Sequence, residues 1–146
     1  MRLQVRWGHG FAMGVGFAVA EAMLAAKYNK PEFTVIDHYT YGLTSDGDLM
    51  EGVASEAASL AGTLGLGKLI YLYDDNKITI EGSTDIAFTE DVEARFKAYG
   101  WQVLRVADSE DIEAMEAAVK EAQADTEHPS LIIVRTHIGY GSPKQD

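Results

Sequence analysis

Two short stretches carry residue types that could hold a metal ion. One is Asp46-Gly47, and the other is Asn76, thirty positions later in Asp74-Asp75-Asn76-Lys77. Hard cations such as Mg²⁺ take oxygen ligands, and Mg²⁺ keeps one or two carboxylates while completing its octahedron with water and phosphate oxygens. Asp46 offers a charged oxygen and Asn76 a neutral one, and a backbone carbonyl just past Asn76 would add a third. Gly47 lets backbone N–H groups come close to a phosphate, and a helix beginning there would add the positive end of its dipole. The same residues are common turn formers, so spacing alone leaves a plain turn and a solvated loop as an equal reading.

The elements that must position these groups lie between them. Val53, Ala57, Leu60, Ala61 and Leu64 recur at helical spacing, Gly65 and Gly67 close that helix, and residues 69–73 form a short apolar strand. In a parallel sheet such a crossover brings the chain back beside its starting strand. Asp46 and Asn76 then face one another across the carboxyl ends of neighbouring strands, where open α/β sheets bind ligands.

The remaining chain fits that frame. Residues 1–7 alternate weakly, as a short strand or a frayed end. Gly8, Gly10, Gly14 and Gly16 lead into a helix over 17–28 that Asn29-Lys30-Pro31 stops, and the glycines imply close packing against a neighbour. The β-branched and aromatic residues of 34–41 predict a strand. Thr89 can cap a helix running to Tyr99, with Glu90 and Asp91 in its first turn. Residues 101–106 form the next strand. Asp108 or Ser109 caps a helix with a stripe of Ile112, Met115, Val119 and Ala122, and 131–136 is the last strand. Alternating helices and strands predict an α/β fold with a mostly parallel sheet and helices on both faces, in a single domain over 1–146.

Composition narrows the partners. The chain has 146 residues, a formal charge of −11 and no cysteine. The charge argues against nucleic acid and anionic membranes, and it repels a diphosphate unless a divalent metal accompanies it. Without cysteine there is no disulfide framework and no thiolate site. No apolar run reaches membrane-spanning length and residues 1–10 lack a signal-peptide core, so a cytoplasmic location is expected. His9, His38, His128 and His137 show no paired spacing. Gly8-His9-Gly10 with Gly14 and Asp37 makes an incomplete dinucleotide fingerprint, because Met13 stands where a glycine or alanine belongs. NAD is therefore a minor rival cofactor.

SDGDLMEG (45–52) followed by DDNKITIEG (74–82) resembles the thiamine diphosphate motif of transketolases. The resemblance continues in AEAMLAAKYNKP, VIDHYTY, EAASLAGTLGLGKLI, RFKAYGWQV, HPSLIIVRT and IGYGSP, covering about residues 8–144. It implies a partial thiamine diphosphate-binding fold of the diphosphate-side type. It further implies that Asp46, Asn76 and the main-chain carbonyl of Ile78 hold Mg²⁺, with Ca²⁺ as an alternative ion. Gly47 would contact the diphosphate through its backbone, and Ile78 and Ile80 would lie beside the cofactor. By spacing alone these isoleucines are core residues. Glu51 matches an interface carboxylate that links two active sites, with Glu56 nearby. Five positions apart, those two glutamates point about 140° apart on a helix.

The implied activity is transfer of a two-carbon ketol unit between sugar phosphates in the pentose phosphate pathway. Thiamine diphosphate supplies the carbanion chemistry, and the protein orients it. Ser45 departs from the family glycine, which would strain a glycine-only backbone angle. Val5-Arg6-Trp7-Gly8-His9-Gly10 stands where the family has a glycine-rich loop, with a bulky Trp7. The glutamate that activates the cofactor belongs in the family to a pyrimidine-binding domain with no counterpart in this sequence. The expectation is therefore a homo-oligomer, or a hetero-oligomer with a pyrimidine-binding subunit that completes the site. The alternatives are a non-catalytic cofactor-binding module and a structural remnant.

Overall fold

The computed structural model describes residues 8–79 and 82–143. Its helices are α1 (His9–Tyr28), α2 (Asp46–Leu49), α3 (Gly52–Leu64), α4 (Val92–Ala98) and α5 (Ile112–Ala124). Its strands are β1 (Thr40–Ser45), β2 (Leu69–Asp75), β3 (Ile78–Thr79), β4 (Gly82–Ser83), β5 (Gln102–Val106) and β6 (Ser130–Arg135). Four of them form one parallel sheet in the order β1-β2-β6-β5, and β3 and β4 pair as a small antiparallel hairpin.

Layering follows from the period-two alternation of the two central strands. Leu69, Tyr71 and Tyr73 of β2 join Leu131 and Ile133 of β6 in a core with residues of α1, α3 and α4. Ile70, Ile132 and Val134 face the other way, onto Ala118 and Ala122 of α5. Each buried leucine, isoleucine or valine among them contributes about 1.5–3 kcal/mol. Helices thus cover both faces, as the alternation predicts.

Tyr71 explains two of the glycines. Its ring stacks on Phe11 with centroids 4.3 Å apart, and its hydroxyl donates to the Phe11 carbonyl at 2.8 Å. A Cβ on Gly14 or Gly42 would overlap that tyrosine. Close packing is thus what Gly14 allows, whereas a Cβ on Gly16 would meet open space, and Gly10, Gly14 and Gly16 lie inside one continuous helix rather than ahead of it. At twenty residues, with a mean hydropathy of 1.4 over its most apolar 18, α1 has the length and apolarity of a membrane span, contrary to the expectation that no segment does. It packs against α3 and β1, buries Phe11, Val15 and Ala18, and carries a buried Glu21 paired with Lys68 at 2.7 Å.

Several boundaries differ from expectation for identifiable reasons. The strand predicted over 34–41 begins only at Thr40, because the Asn29 side chain takes the backbone groups ahead of it. Its Oδ1 accepts from the N–H groups of Val35 and Ile36, each at 2.8 Å, and its Nδ2 donates to the Ile36 carbonyl at 2.6 Å. Asp91 and Asp111, rather than Thr89 and Asp108 or Ser109, cap α4 and α5. Each accepts from the N–H three residues on, at 2.9 Å. The buried face of α3 is Ala54, Ala58 and Ala61, leaving Leu60 and Leu64 half exposed. Ile112 is exposed rather than part of the α5 stripe. The expectation for residues 1–7 lies outside the described residues.

Candidate functional site

The Asp46 turn is built by Asp48. Its Oδ2 accepts from the Ser45 N–H at 3.0 Å and from the Ser45 hydroxyl at 3.1 Å, and its Oδ1 accepts from the Gly8 N–H at 3.1 Å. Ser45 has φ −134° and ψ 177°, an extended conformation open to any residue. The serine in place of a glycine is therefore unstrained, and it adds a hydroxyl donor that glycine lacks. The helix that contains Gly47, α2, is a single turn, and the long helix α3 starts only at Gly52. The expected dipole of a long helix is thus not at Gly47.

Asp46 is buried, with only 3% of its surface exposed. Its Oδ1 accepts a hydrogen bond from the Tyr73 hydroxyl, and its buried Oδ2 has no hydrogen-bond partner. Burial pushes the Asp46 carboxyl above the ordinary carboxylate range, the Tyr73 hydrogen bond pulls it back, and the nearby Asp75 pushes it up again. Burial, and then the Asp46 carboxylate, push the Tyr73 hydroxyl upward, so it stays a donor. An orphaned, buried carboxylate oxygen at the edge of a cleft is costly for the fold alone and suits a cation.

Parallel pairing sets Ser45 beside Asp74, so the ends of β1 and β2 meet. Asn76 Oδ1 accepts from the Ile78 N–H at 2.9 Å, and its Nδ2 donates to Asp74 Oδ2 at 3.2 Å. Asp74 Oδ1 also takes the Thr136 hydroxyl. Asp75 points the other way, as alternation requires, and pairs with the Lys77 ammonium at 2.7 Å. Lys77 has φ +63°, a left-handed conformation unusual for lysine. The Asn76 bond to the Ile78 N–H spans this residue and braces the turn.

Asp46, Gly47, Glu51, Asn76 and Ile78 line one cleft of about 730 Å³ at the carboxyl edge of the sheet. The structure thus brings these predicted residues together, while Ile80 lies outside the described residues. Glu51 is exposed at the start of α3, where its side chain makes no capping bond, and Glu56 is exposed further along the helix. Among the described residues no group of three or more His, Cys, Asp and Glu could hold a metal. The predicted donors are instead one carboxylate, one amide and one carbonyl, a hard-oxygen set suited to Mg²⁺ or Ca²⁺. Asp37 precedes β1, at the opposite edge of the sheet, and pairs with Lys68 at 2.7 Å. That placement removes the dinucleotide reading.

Sequence reasoning missed Tyr73, Asp74 and Asp48 as members of the site. Asp48 was legible, since Ser45-Asp46-Gly47-Asp48 has the spacing of a capping box. Tyr73 reads as one more apolar strand residue, and only the fold shows that its hydroxyl meets Asp46.

An open parallel sheet with an oxygen-rich cleft at its carboxyl edge defines a cofactor-binding domain of the α/β class. The family model described as transketolase, thiamine diphosphate binding domain, matches residues 6–146, and the chain belongs to that family. It is 60% identical over 139 residues to a transketolase of Nostoc sp. and 57% identical over 138 residues to that of Geobacillus stearothermophilus. Each alignment covers 94% of this chain and 21% of the relative. The solved transketolase of Leishmania mexicana superposes with a TM-score of 0.95 at 47% identity, covering 97% of this chain and 21% of that one. A Pichia stipitis transketolase solved with fructose 6-phosphate gives 0.93 at 55% identity, covering 94% and 21%. The chain thus spans about a fifth of the length of these relatives.

Proposed function

We propose that this chain forms the diphosphate-side half of a transketolase active site, as a single partial domain that a pyrimidine-binding domain or subunit completes. Asp46, Asn76 and the Ile78 carbonyl would hold Mg²⁺, or Ca²⁺ in its place, and Gly47 would meet the diphosphate through its backbone. The buried, unpartnered Oδ2 of Asp46 carries this reading. When bound, thiamine diphosphate supplies the carbanion chemistry of ketol transfer. The chain's own residues anchor the metal end and shape the cleft floor. Sugar phosphates are the proposed substrates, in keeping with the fructose 6-phosphate complex of the Pichia relative. Glu51, exposed at the mouth of the cleft, is placed to meet a partner subunit. Met13, Phe17, Met23, Leu24 and Tyr28 of α1 and the edge strand β1 offer apolar and backbone surface for that assembly.

The test supplies the remainder of a transketolase as a separate polypeptide and follows ketol transfer between sugar phosphates with thiamine diphosphate and Mg²⁺. Turnover should require both polypeptides and disappear with Asp46→Ala. Cofactor binding without turnover in the complete mixture would show a binding module instead.

A further inference from the structure

The two oxygens of Asp46 are in different states. Oδ1 is held by the Tyr73 hydroxyl, and Oδ2 is buried without a partner. Tyr73 itself is fixed. It is 2% exposed, packs in the main core and pairs through its backbone with Thr44 of β1 and Ile133 of β6. Its hydroxyl therefore addresses Asp46 from a rigid element.

We propose that Tyr73 is the positioning residue of the metal site: by occupying Oδ1 it makes Asp46 a one-oxygen ligand and thereby favours Mg²⁺ over Ca²⁺. This rests on the reading of Asp46 as a ligand. Mg²⁺ demands a near-ideal octahedron with short bonds, which a single fixed oxygen serves well. Ca²⁺ takes six to eight oxygens at longer range and accepts bidentate carboxylates readily. With the hydroxyl gone, the carboxylate can rotate and offer both oxygens, which helps Ca²⁺ and blurs the geometry that Mg²⁺ needs. Partners that orient a ligand typically change metal affinity by about 10–100-fold when removed.

The experiment titrates the full chain with Mg²⁺ and separately with Ca²⁺, each in the presence of thiamine diphosphate, and compares wild type with Tyr73→Phe, Tyr71→Phe and Asp46→Ala. Tyr73→Phe should weaken Mg²⁺ by about 10–100-fold and Ca²⁺ by less, so the affinity ratio shifts toward Ca²⁺. Tyr71→Phe is the structural control. It removes an equally buried hydroxyl from the same face of β2, one bonded to the Phe11 carbonyl, and should leave the ratio unchanged. An unchanged ratio in Tyr73→Phe, with both metals lost in Asp46→Ala, would overturn the role of Tyr73 alone. Normal metal binding by Asp46→Ala would overturn the ligand assignment beneath it. A measurement on the wild type keeps the test independent of variant folding. In infrared difference spectra, the splitting of the carboxylate stretches is wide for one-oxygen and narrow for two-oxygen coordination. It should stay wide with either metal, and a narrow splitting with Mg²⁺ would refute the inference.

Discussion

Asparagine at position 46 would keep the shape of the side chain and an acceptor for the Tyr73 hydroxyl while removing the charge. Asp46 is 3% exposed and one of its carboxylate oxygens has no hydrogen-bond partner. Leaving a buried polar group unsatisfied costs about 1–3 kcal/mol, and more when it is charged. The neutral amide should recover part of this, on the order of 1 kcal/mol, which for a chain of this size raises Tm by about 2–4 °C. The metal-bound state should move the other way. Removing one partner of a buried charge pair costs about 3–5 kcal/mol, or roughly a hundred- to several-thousand-fold in metal affinity. Ligand at a hundred times its Kd stabilises the wild type by about 2.7 kcal/mol, so Mg²⁺ and thiamine diphosphate should reverse the order of the two proteins.

The pH dependence has a definite sign. Burial is the main cause of the raised Asp46 pKa. A raised carboxyl contributes stability that is fully present below its unfolded value, near 3.8, and lost as pH rises through the folded value. The advantage of Asp46→Asn should therefore shrink as pH is lowered from neutrality toward that value. Thermal melts of both proteins, with and without the ligands and across pH, read all three effects. A metal-free variant less stable than wild type, or one that kept a Mg²⁺-dependent rise in Tm, would refute the reasoning.

Three further variants probe the frame around the site. Gly14→Ala places a methyl group against the Tyr71 hydroxyl and should destabilise the fold by about 1–3 kcal/mol in chemical denaturation. Ser45→Gly removes the hydroxyl bond to Asp48 and should cost about 0.5–1.5 kcal/mol by the same measurement, while calorimetry shows Mg²⁺-dependent cofactor binding retained. Trp101→Phe deletes the indole bond to the Ala58 carbonyl, 2.8 Å long and buried, and should lower stability by about 1–3 kcal/mol in thermal melts.

The sequence revealed the layers of this fold more readily than their edges. Continuous apolar runs in β2 and β6, with helical patterns alternating between the strands, sufficed for a parallel sheet covered on both sides. What escaped depended on contacts distant in sequence or on competing local bonds. Asn29 captured the backbone ahead of β1, a choice that β-propensity over 34–41 does not express. Small alanines, not the larger leucines, face inward on α3 and leave Leu60 and Leu64 half exposed, a choice of face that residue size alone does not express. At the site, Asp46, Gly47 and Asn76 were legible as candidates through residue type and spacing and Ile78 only through the family resemblance, and the structure brings all four to one cleft. The groups that orient them were less legible. Tyr73 and Asp74 act through side-chain geometry at the end of β2, which residue type alone does not disclose.

Titration calorimetry of the purified chain with thiamine diphosphate, in the presence and absence of Mg²⁺, tests the central claim most directly. The account predicts binding that requires the metal and is lost in Asp46→Ala. Binding that ignored Mg²⁺, or that survived loss of the Asp46 carboxylate, would contradict it.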